Sequence, residues 1–341
     1  MDRDVQPKVV LCILNWNGWQ DTIECLESIQ KLSYPNYQIV VLDNGSTDES
    51  IEKIKEWCQG SVHCVEYDIS TAELGGRPID EAKLSERPAD SRLVLIRSPE
   101  NLGFAEGNNA VIRCVLQCAE TPEFVFLLNN DTCIDSECLS RAVVVSQENN
   151  ASVVTCVVKE AGTGKLLFSG DHRPSKLFYV SYFWFKHKLQ DDEQSNMAWG
   201  TAMMIRKDAL FDLENRDGFF FNPQLFLYAE DNDFSMRVID SGRCIYLASK
   251  AYVYHKHTDS CVNKKFRNSF LLYYATRNTI LVARRHITGI WLLFFCVYYP
   301  TVRLKDVLIK IWRRQFREAF NILEGLWDGY RNVSGKWRKH D

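Results

Sequence analysis

A carboxylate stands at the end of an apolar run in the middle of the chain. Residues 124–132 read FVFLLNNDT, so Asp131 follows a segment with the composition of a buried parallel strand. Ligands of open α/β sheets bind beyond the carboxyl ends of the strands. Asp131 is therefore predicted to enter a cleft, and a turn or helix-capping role is the structural alternative.

The same arrangement occurs nearer the N-terminus. Asp43 follows the strand-like residues 39–42, and Asn15 lies at the end of an earlier apolar segment that begins at Val9. Ordinary strand-to-helix turns explain each polar end separately. They explain less well why two of these strands are followed at once by an aspartate, which favours a shared site.

Three further acids are concentrated in residues 228–242, YAEDNDFSMRVIDSG. Glu230, Asp231 and Asp233 open a predicted helix, where acids also interact favourably with the helix dipole. Three acids in four positions exceed what capping requires. The residues just before them are aromatic and apolar, so this part of the chain is expected to come from the protein interior. They are therefore candidates for a general base, the group that removes a proton from a reacting hydroxyl.

Two histidines follow a hydrophobic strand farther along the chain. His255 and His257, in AYVYHKHTDS, share one face at the two-residue period of a strand. Metal ligation and a structural role are both open for them. Trp199, Gly200 and Thr201 precede another predicted strand, and the glycine permits close approach of a ligand.

Strand-like and helix-like segments alternate through residues 1–135, which predicts an α/β domain with a mostly parallel sheet. Residues 68–92 interrupt the alternation with charge, Gly and Pro, and they are predicted to form an inserted surface loop. In NLGFAEGNN, residues 101–109, Gly103 would let the backbone approach a ligand, and Asn108 begins a predicted helix. The glycine spacing there matches neither a P-loop nor a dinucleotide fingerprint.

Composition limits the class of protein. A chain of 341 residues with 46% hydrophobic and 25% charged residues can hold one large domain with an appendage. A formal net charge of −3 gives no case for nucleic-acid binding. The twelve cysteines include no CxxC pair and residues 1–8 are polar, which predicts reduced thiols in a cytoplasmic protein.

Six segments, taken in order, resemble family 2 glycosyltransferases of the GT-A fold. They are LNWNG, VVLDNGSTD, NLGFAEGNN, LLNND, GTAMMI and YAEDNDFSMRVIDSG, and the resemblance covers about residues 7–285. Within the family they are most similar to the rhamnosyltransferase-like members that build bacterial surface polysaccharides. The resemblance implies an α/β fold of the GT-A (nucleotide-diphospho-sugar transferase) type, with helices on both sides of the sheet.

The implied reaction is an inverting transfer of a sugar, with rhamnose the leading expectation, from a nucleotide-diphosphate donor to a glycan or lipid-linked acceptor. Asp231 is the implied base, and Glu230 contacts the acceptor or orients the site. Asp131 and His255 are the expected contacts of Mg²⁺ or Mn²⁺ and the diphosphate, although the family's usual acidic pair is reduced here to one carboxylate. The other expected contacts are Asn15, Asp43, Asn101, Gly103, Asn108 and Asn130 with the donor nucleotide, and Trp199, Gly200 and Thr201 with donor or acceptor sugar.

Two other classes of protein fit these residues less well. A nucleotidyltransferase would need a glycine-rich, basic phosphate-binding segment near the first strand, and LNWNG offers neither property. A non-catalytic sugar-binding relative would be expected to lack Asp131 or the pair Glu230 and Asp231, which are all present. The presence of these acids favours an enzyme.

The C-terminal part changes character at about residue 266. A helical segment is followed by the apolar run 290–299, IWLLFFCVYY, which Pro300 is predicted to halt and which is too short to span a bilayer. Basic and aromatic residues after it favour an interfacial helix at the inner face of the cell membrane. Packing on the catalytic domain or on a second subunit of a homo-oligomer is the alternative. The predicted division is therefore a catalytic domain 1–265, with a nucleotide half 1–135 and an acceptor half 136–265, and a helical segment 266–341.

Overall fold

The computed structural model describes residues 6–73, 82, 84–118, 120–170, 191–256 and 264–338, with the side chains of residues 73 and 264–269 excepted. His257 lies outside the described residues. The cysteines within them are free thiols.

One sheet runs through the domain, and its first half is parallel. Its strands follow the spatial order β3-β4-β2-β1-β5, with each neighbouring pair parallel. These strands are β1 (Val9–Asn15), β2 (Tyr37–Asp43), β3 (His63–Asp68), β4 (Arg92–Arg97) and β5 (Phe124–Asn129). Their carboxyl ends therefore meet at one edge, and Asn15 pairs in register with Asp43.

The second half of the sheet is mixed. The order continues from β5 as β10-β7-β11-β6, where β10 is antiparallel to both of its neighbours and β7 is parallel to β11. The strands are β6 (Thr132–Ile134), β7 (Val153–Glu160), β8 (Leu166–Phe168), β9 (Glu193–Ser195), β10 (Ala202–Arg206) and β11 (Ile245–His255). Because β6 pairs with the end of β11, the chain just after β5 lies beside His255.

Helices cover both faces of the sheet. They are α1 (Trp19–Ile29), α2 (Ser50–Cys58), α3 (Ile69–Glu73), α4 (Gly103–Gln117), α5 (Cys138–Asn149), α6 (Lys207–Asp217), α7 (Glu230–Asp240), α8 (Lys264–His286), α9 (Gly289–Trp312) and α10 (Phe316–Tyr330), with 3₁₀ turns at Ala89–Ser91 and Pro223–Leu225. Alternate residues of β1 belong to two different cores: Leu11 packs with α1, α2 and α5, and Val10 with α4, α6 and α7. Burial on both faces is why the parallel strands read as continuous apolar runs.

The segment 68–92 differs from the predicted surface loop at both of its ends. Ile69–Glu73 forms α3, and Arg92 already belongs to β4. Ala72 and Leu84 are 1% and 2% exposed and pack in the core of the α4 face. These apolar residues are too few and too widely spaced to give a helical period, so their burial could not be predicted from the pattern.

The helical C-terminal region forms as predicted, but Pro300 lies inside α9 instead of ending it. Proline lacks the N–H that would bond to the carbonyl four residues earlier, here that of Cys296. The Tyr330 hydroxyl of α10 donates to that carbonyl at 2.9 Å. A tertiary hydrogen bond thus replaces the lost helical one, and the predicted halt is wrong. Across the described residues, no helix combines the length and apolar character that crossing a membrane requires.

Candidate active site

A cavity opens where the carboxyl ends of β1 and β5 meet the start of α4. Seven of the sequence-predicted residues line it directly: Asn15, Asn101, Gly103, Asn108, Asn130, Asp131 and Gly200. The others of that set lie behind this layer or beside it. The structure therefore brings together side chains that are more than a hundred positions apart in the chain, as the strand-end argument predicts.

Asn15 and Asp43 form a buried pair at the floor of this region. The Asn15 amide donates to Asp43 Oδ1 at 2.8 Å, and Asn15 Oδ1 accepts from the Thr22 hydroxyl at 2.8 Å. The backbone N–H of Ser46 donates to the second Asp43 oxygen at 3.1 Å. Asn15 reaches the cavity itself, whereas Asp43 is 1% exposed and lies behind it. The pair is thus fixed in place before any ligand binds.

The entry to α4 is built by amide side chains. Asn44 accepts from the N–H of Leu102 at 2.9 Å, and Asn101 accepts from the N–H of Gly103 at 2.8 Å. These bonds satisfy early helical donors, so α4 begins at Gly103 and not at Asn108 as the sequence predicts. Gly103 has φ +76°, and a Cβ there would lie 2.5 Å from the carbonyl oxygen of Phe226. Its close approach is therefore to the chain's own backbone.

Asp131 and His255 are in direct contact. His255 Nε2 lies 3.0 Å from Asp131 Oδ1, and the two side chains are 10% and 23% exposed. The backbone strengthens this arrangement, because the Lys256 N–H donates to the Asp131 carbonyl at 2.8 Å. The pairing of β6 with β11 brings the turn after β5 against the end of β11. Carboxylate oxygen and imidazole nitrogen are both ligands of first-row divalent cations.

The residues present fit a lightly held metal ion. Within the described residues there is no cluster of three or more His, Cys, Asp or Glu side chains that could hold a metal. Two protein ligands suit an ion that completes its coordination with phosphate oxygens and water. Asn130 lines the same cavity and donates to the Thr22 hydroxyl at 3.0 Å, which holds its amide against α1.

Trp199, Gly200 and Thr201 connect the cavity to the acids of α7. The Gly200 N–H donates to Asp231 Oδ2 at 3.3 Å, and a Cβ on Gly200 would meet the Phe104 ring at 3.2 Å. Trp199 lies edge-on to the His255 ring with centroids 6.2 Å apart. Thr201 is 4% exposed, and its carbonyl accepts from the N–H of Asn129. Gly200 thus lines the cavity and also contacts the Asp231 carboxylate.

The first two acids of α7 occupy an environment that disfavours their charge. Burial raises the pKa of Asp231 to about 6, although N–H groups of Gly200 and Asn232 donate to its oxygens. Burial and the neighbouring Asp231 raise the pKa of Glu230 well above its usual range. Glu230 Oε2 is buried without a hydrogen-bond partner among the described residues. Perturbed carboxyls beside a cavity are a recognised property of catalytic sites.

Asp233 has a different role from its two neighbours. It is 0% exposed and pairs with Arg237 at 2.8 Å and with His286 at 2.9 Å. Burial alone would raise the pKa of Asp233, but the hydrogen bond from His286 and the charge of Arg237 lower it overall. Asp233 therefore anchors α7 to α8, and the base candidates reduce to Glu230 and Asp231.

Several residues of the cavity were missed by the sequence reasoning. Its apolar wall is formed by Phe104, Phe226, Leu227 and Phe270, and Trp16 borders the mouth with 44% exposure. Aromatic residues are usual in protein cores, so nothing in their local pattern marks these as cavity-lining. Trp16 had a usable signal, because it lies between two asparagines at the end of β1.

The chain matches the model of the family described as "Glycosyl transferase family 2" over residues 9–76 and 79–213, more than half of its length. Among solved structures, residues 1–349 of TarS from S. aureus in complex with UDP-GlcNAc are 15% identical with a TM-score of 0.52, covering 97% of this chain and 93% of that one. The full TarS structure is 19% identical with a TM-score of 0.48, and this chain covers only 40% of it.

Two further structures share the fold. The mannosyltransferase PcManGT from Pyrobaculum calidifontis, in complex with GDP-Man and Mn²⁺, is 14% identical with a TM-score of 0.52, covering 96% of this chain and 88% of that one. GalNAc-T7 with UDP, GalNAc and Mn²⁺ is 13% identical with a TM-score of 0.55, covering 83% and 48%. At these identities the likeness is one of fold, and the predicted GT-A fold is confirmed.

Proposed function

Since this chain belongs to glycosyl transferase family 2, we propose that it moves a sugar from a nucleoside diphosphate to a hydroxyl of a glycan or lipid-linked saccharide, with inversion. One observation supports this proposal above the others. A single cavity has the contact of Asp131 with His255 at one side and, through Gly200, the carboxylate of Asp231 at another. Leaving-group stabilisation and proton removal need separate groups on opposite sides of the sugar.

In the proposed reaction the acceptor oxygen forms a bond to C1 of the sugar, while the C1–O bond to the diphosphate breaks and its electron pair leaves with the diphosphate. The acceptor proton passes to the Asp231 carboxylate. A pKa of about 6 keeps that carboxylate ionised at neutral pH while leaving it basic enough to accept the proton. The raised pKa of Glu230, next to it, favours the protonated carboxyl, which could donate a hydrogen bond that orients the acceptor.

Asn15, Asn101, Asn108 and Asn130 are proposed to bind the donor nucleotide as neutral groups. Asp43 is proposed to act with them from behind the cavity, where it holds the Asn15 amide. Asp131 and His255 would hold Mg²⁺ or Mn²⁺. When bound, such an ion neutralises charge that develops on the departing diphosphate. Rhamnose remains the proposed sugar, and the apolar wall of Phe104, Phe226 and Phe270 is compatible with the methyl group of a deoxy sugar.

Thermal stabilisation by nucleotide sugars tests the donor site. The protein is heated with dTDP-rhamnose, UDP-N-acetylglucosamine or GDP-mannose, each with and without Mn²⁺ or Mg²⁺. Binding to the native state raises the melting temperature by mass action, so a metal-dependent shift with one donor supports the proposal. Absence of a shift with every donor and metal would contradict the assignment of this cavity to a nucleotide sugar.

We also propose that the exposed face of α9 rests on an anionic membrane surface. Ile290, Leu293 and Val297 are 74%, 69% and 72% exposed, and Trp312 at the far end is 83% exposed. No acidic residue occurs from 289 to 305, whereas Arg313, Arg314 and Arg317 follow. An uninterrupted apolar face with basic residues at its end is complementary to anionic lipid. A lipid-linked acceptor would be reached from such a position.

Vesicle sedimentation tests this second proposal. The wild type is expected to bind phosphatidylglycerol vesicles in preference to phosphatidylcholine vesicles, and a variant with Ile290, Leu293 and Val297 changed to Ser is expected to lose binding. Val144→Ser with Phe211→Ser, which removes exposed apolar side chains elsewhere, is the matched control. If the wild type binds neither kind of vesicle and is a dimer in analytical ultracentrifugation, the exposed face of α9 contacts a second copy of the chain instead.

A further inference from the structure

The segment that leads into α7 has an unusual backbone. Phe226, Tyr228 and Ala229 all have positive φ, at 62°, 69° and 68°, although none is glycine. At Phe226, with ψ −60°, the N–H of Leu227 donates to the carbonyl of Leu225 at 2.7 Å, which closes a strained γ-turn. Such conformations persist only where the surroundings hold them, and they concentrate at functional sites.

Asn278 of α8 holds this segment by its carbonyls. Its amide Nδ2 lies 2.8 Å from the oxygens of Leu225 and Leu227 and 2.7 Å from that of Tyr228. On the opposite side, the carbonyl of Phe226 accepts from the N–H of Phe104 at 2.7 Å, at the start of α4. The segment is therefore hydrogen-bonded to both α8 and α4, and the bonds from α8 are called the grip below.

Arg277 fixes the orientation of Asn278. Its Nε donates to Asn278 Oδ1 at 2.9 Å, which turns the amide so that Nδ2 faces the carbonyls. Its Nη2 donates to Leu225 at 3.2 Å, and its Nη1 donates to the carbonyl of Gly335 at 2.7 Å. Arg277 and Asn278 are both 0% exposed. Two buried polar side chains thus hold the backbone carbonyls of Leu225, Leu227 and Tyr228.

The C-terminal helices support this grip from behind. The guanidinium of Arg277 lies over the rings of Tyr273 and Tyr274, 5.2 and 5.0 Å from their centroids. Helix α10 packs closely on α8 at Gly325, where a Cβ would lie 2.8 Å from the Tyr273 carbonyl. The backbone of Gly335 also donates to Gln224, next to the strained turn. The C-terminal helices therefore take part in building the site.

The geometry points to Arg277 and Asn278 as positioning residues: by holding the carbonyls of Leu225, Leu227 and Tyr228, they set where Glu230 and Asp231 stand relative to the cavity. This inference rests on the proposed function, in which Asp231 is the base. Phe226 and Leu227 themselves line the cavity, so the same grip also places one of its walls. Loss of the grip should misplace the acids without removing the contacts that bind the nucleotide.

The decisive variant is Asn278→Asp, which keeps the size of the side chain but replaces the donor with an oxygen that repels the carbonyls. With the three nucleotide sugars above and water as the acceptor, release of nucleoside diphosphate should slow by about 100-fold, the scale of a displacement of about 1 Å. The dissociation constant for the same donor should stay within about threefold. The pH midpoint of the residual activity should also shift, because the surroundings of Asp231 change.

Asn149→Asp is the matched control, because the Asn149 amide also donates to a backbone carbonyl, that of Val145 at 3.0 Å, and Asn149 lies at the end of α5, outside the cavity lining. It should lower the melting temperature while the rate and pH midpoint remain those of the wild type. Hydrogen exchange gives a readout that needs no ligand: peptides covering residues 222–233 should exchange faster in Asn278→Asp and not in the control. Arg277→Lys, which keeps the charge but loses the planar fork, should give a smaller change of the same kind.

The results of Asn278→Asp and Asp231→Asn together distinguish failure of the positioning role from failure of the proposed function. If Asn278→Asp leaves the rate, the pH midpoint and exchange in residues 222–233 unchanged, or if the control matches it, the positioning role is wrong. If Asp231→Asn also leaves the rate unchanged, the proposed function has failed and the positioning role fails with it. If Asp231→Asn abolishes release while Asn278→Asp has no effect, only the positioning role is lost.

Discussion

His255 Nε2 lies 3.0 Å from Asp131 Oδ1, although the two residues are 124 positions apart in the chain. The contact exists because β6, which begins one residue after Asp131, pairs antiparallel with the end of β11 and sets His255 opposite Thr132. A contact made in this way is held by the sheet, which fixes both backbones. It also leaves Asp131 facing the cavity, where a diphosphate would approach.

Asp131→Asn should abolish the metal-dependent part of the donor-induced thermal shift, because an amide is a poorer ligand than a carboxylate for Mg²⁺ and Mn²⁺. The measurement is the melting temperature with UDP plus Mn²⁺ compared with UDP alone. Asp135→Asn, which removes a carboxylate four residues later, should keep the metal-dependent shift. An unchanged shift in Asp131→Asn would exclude this residue as the metal ligand.

The rate should depend on pH through Asp231. Since burial raises the pKa of this carboxyl to about 6, kcat/KM should fall about tenfold for each pH unit below 6 and level off above about 7. The base must be ionised to accept a proton, which fixes the direction of the change. The profile is measured with saturating metal at every pH. A flat profile between pH 5 and 8 would argue against a base with this pKa.

Asp231→Asn should make the protein more stable at neutral pH. The carboxyl is protonated in both states below about pH 4, and as the pH rises the unfolded state ionises first, so wild type loses stability between about 4 and 6. The variant avoids that loss, and its free energy of unfolding at pH 7.5 should exceed that of wild type by about 1–3 kcal/mol. Urea unfolding at pH 4 and 7.5 tests this, and a difference that does not grow with pH would contradict it.

Asp233→Asn should lower the free energy of unfolding at neutral pH, which is the opposite of the effect expected for Asp231→Asn, although the two residues are only two positions apart. The pKa of Asp233 is lowered overall, because His286 and Arg237 outweigh burial, so its ionised form stabilises the protein above the unfolded pKa and this contribution is lost as the pH falls. Removing one partner of a buried ionic network costs about 3–5 kcal/mol. Unfolding at pH 7.5 should show the loss, and the gap from wild type should narrow at pH 3.

Tyr330→Phe should cost about 0.5–1.5 kcal/mol of stability, because the Cys296 carbonyl loses the hydroxyl that replaces the missing N–H of Pro300. In a Pro300→Ala background the helix supplies its own donor, so the same change should cost less. A double-mutant cycle by urea unfolding measures the difference. Equal costs in both backgrounds would mean that the hydroxyl and the proline act independently.

Local sequence patterns determined much of what can be predicted about the fold and site of this protein. The apolar strands that end in Asn15 and Asp43 or just before Asp131, and the acids that open α7, could be read from the sequence because composition and period are local properties. The parallel order of the strands then requires their polar ends to meet at one edge. The fold and four of the cavity-lining amides, Asn15, Asn101, Asn108 and Asn130, follow from that reasoning together with the family resemblance, whereas the lining amides Asn44 and Asn129 were not predicted.

Tertiary structure alone decided the rest. The grip of Arg277 and Asn278 on residues 225–228 joins positions about fifty apart, and the bond from Tyr330 that carries α9 through Pro300 joins two helices. Neither contact can be predicted from a periodic sequence pattern, because a residue of any type can supply the backbone carbonyl that accepts the hydrogen bond. Asp231 and Asp233 look alike in the sequence, and only the surrounding charges and burial give their carboxyls opposite pKa shifts.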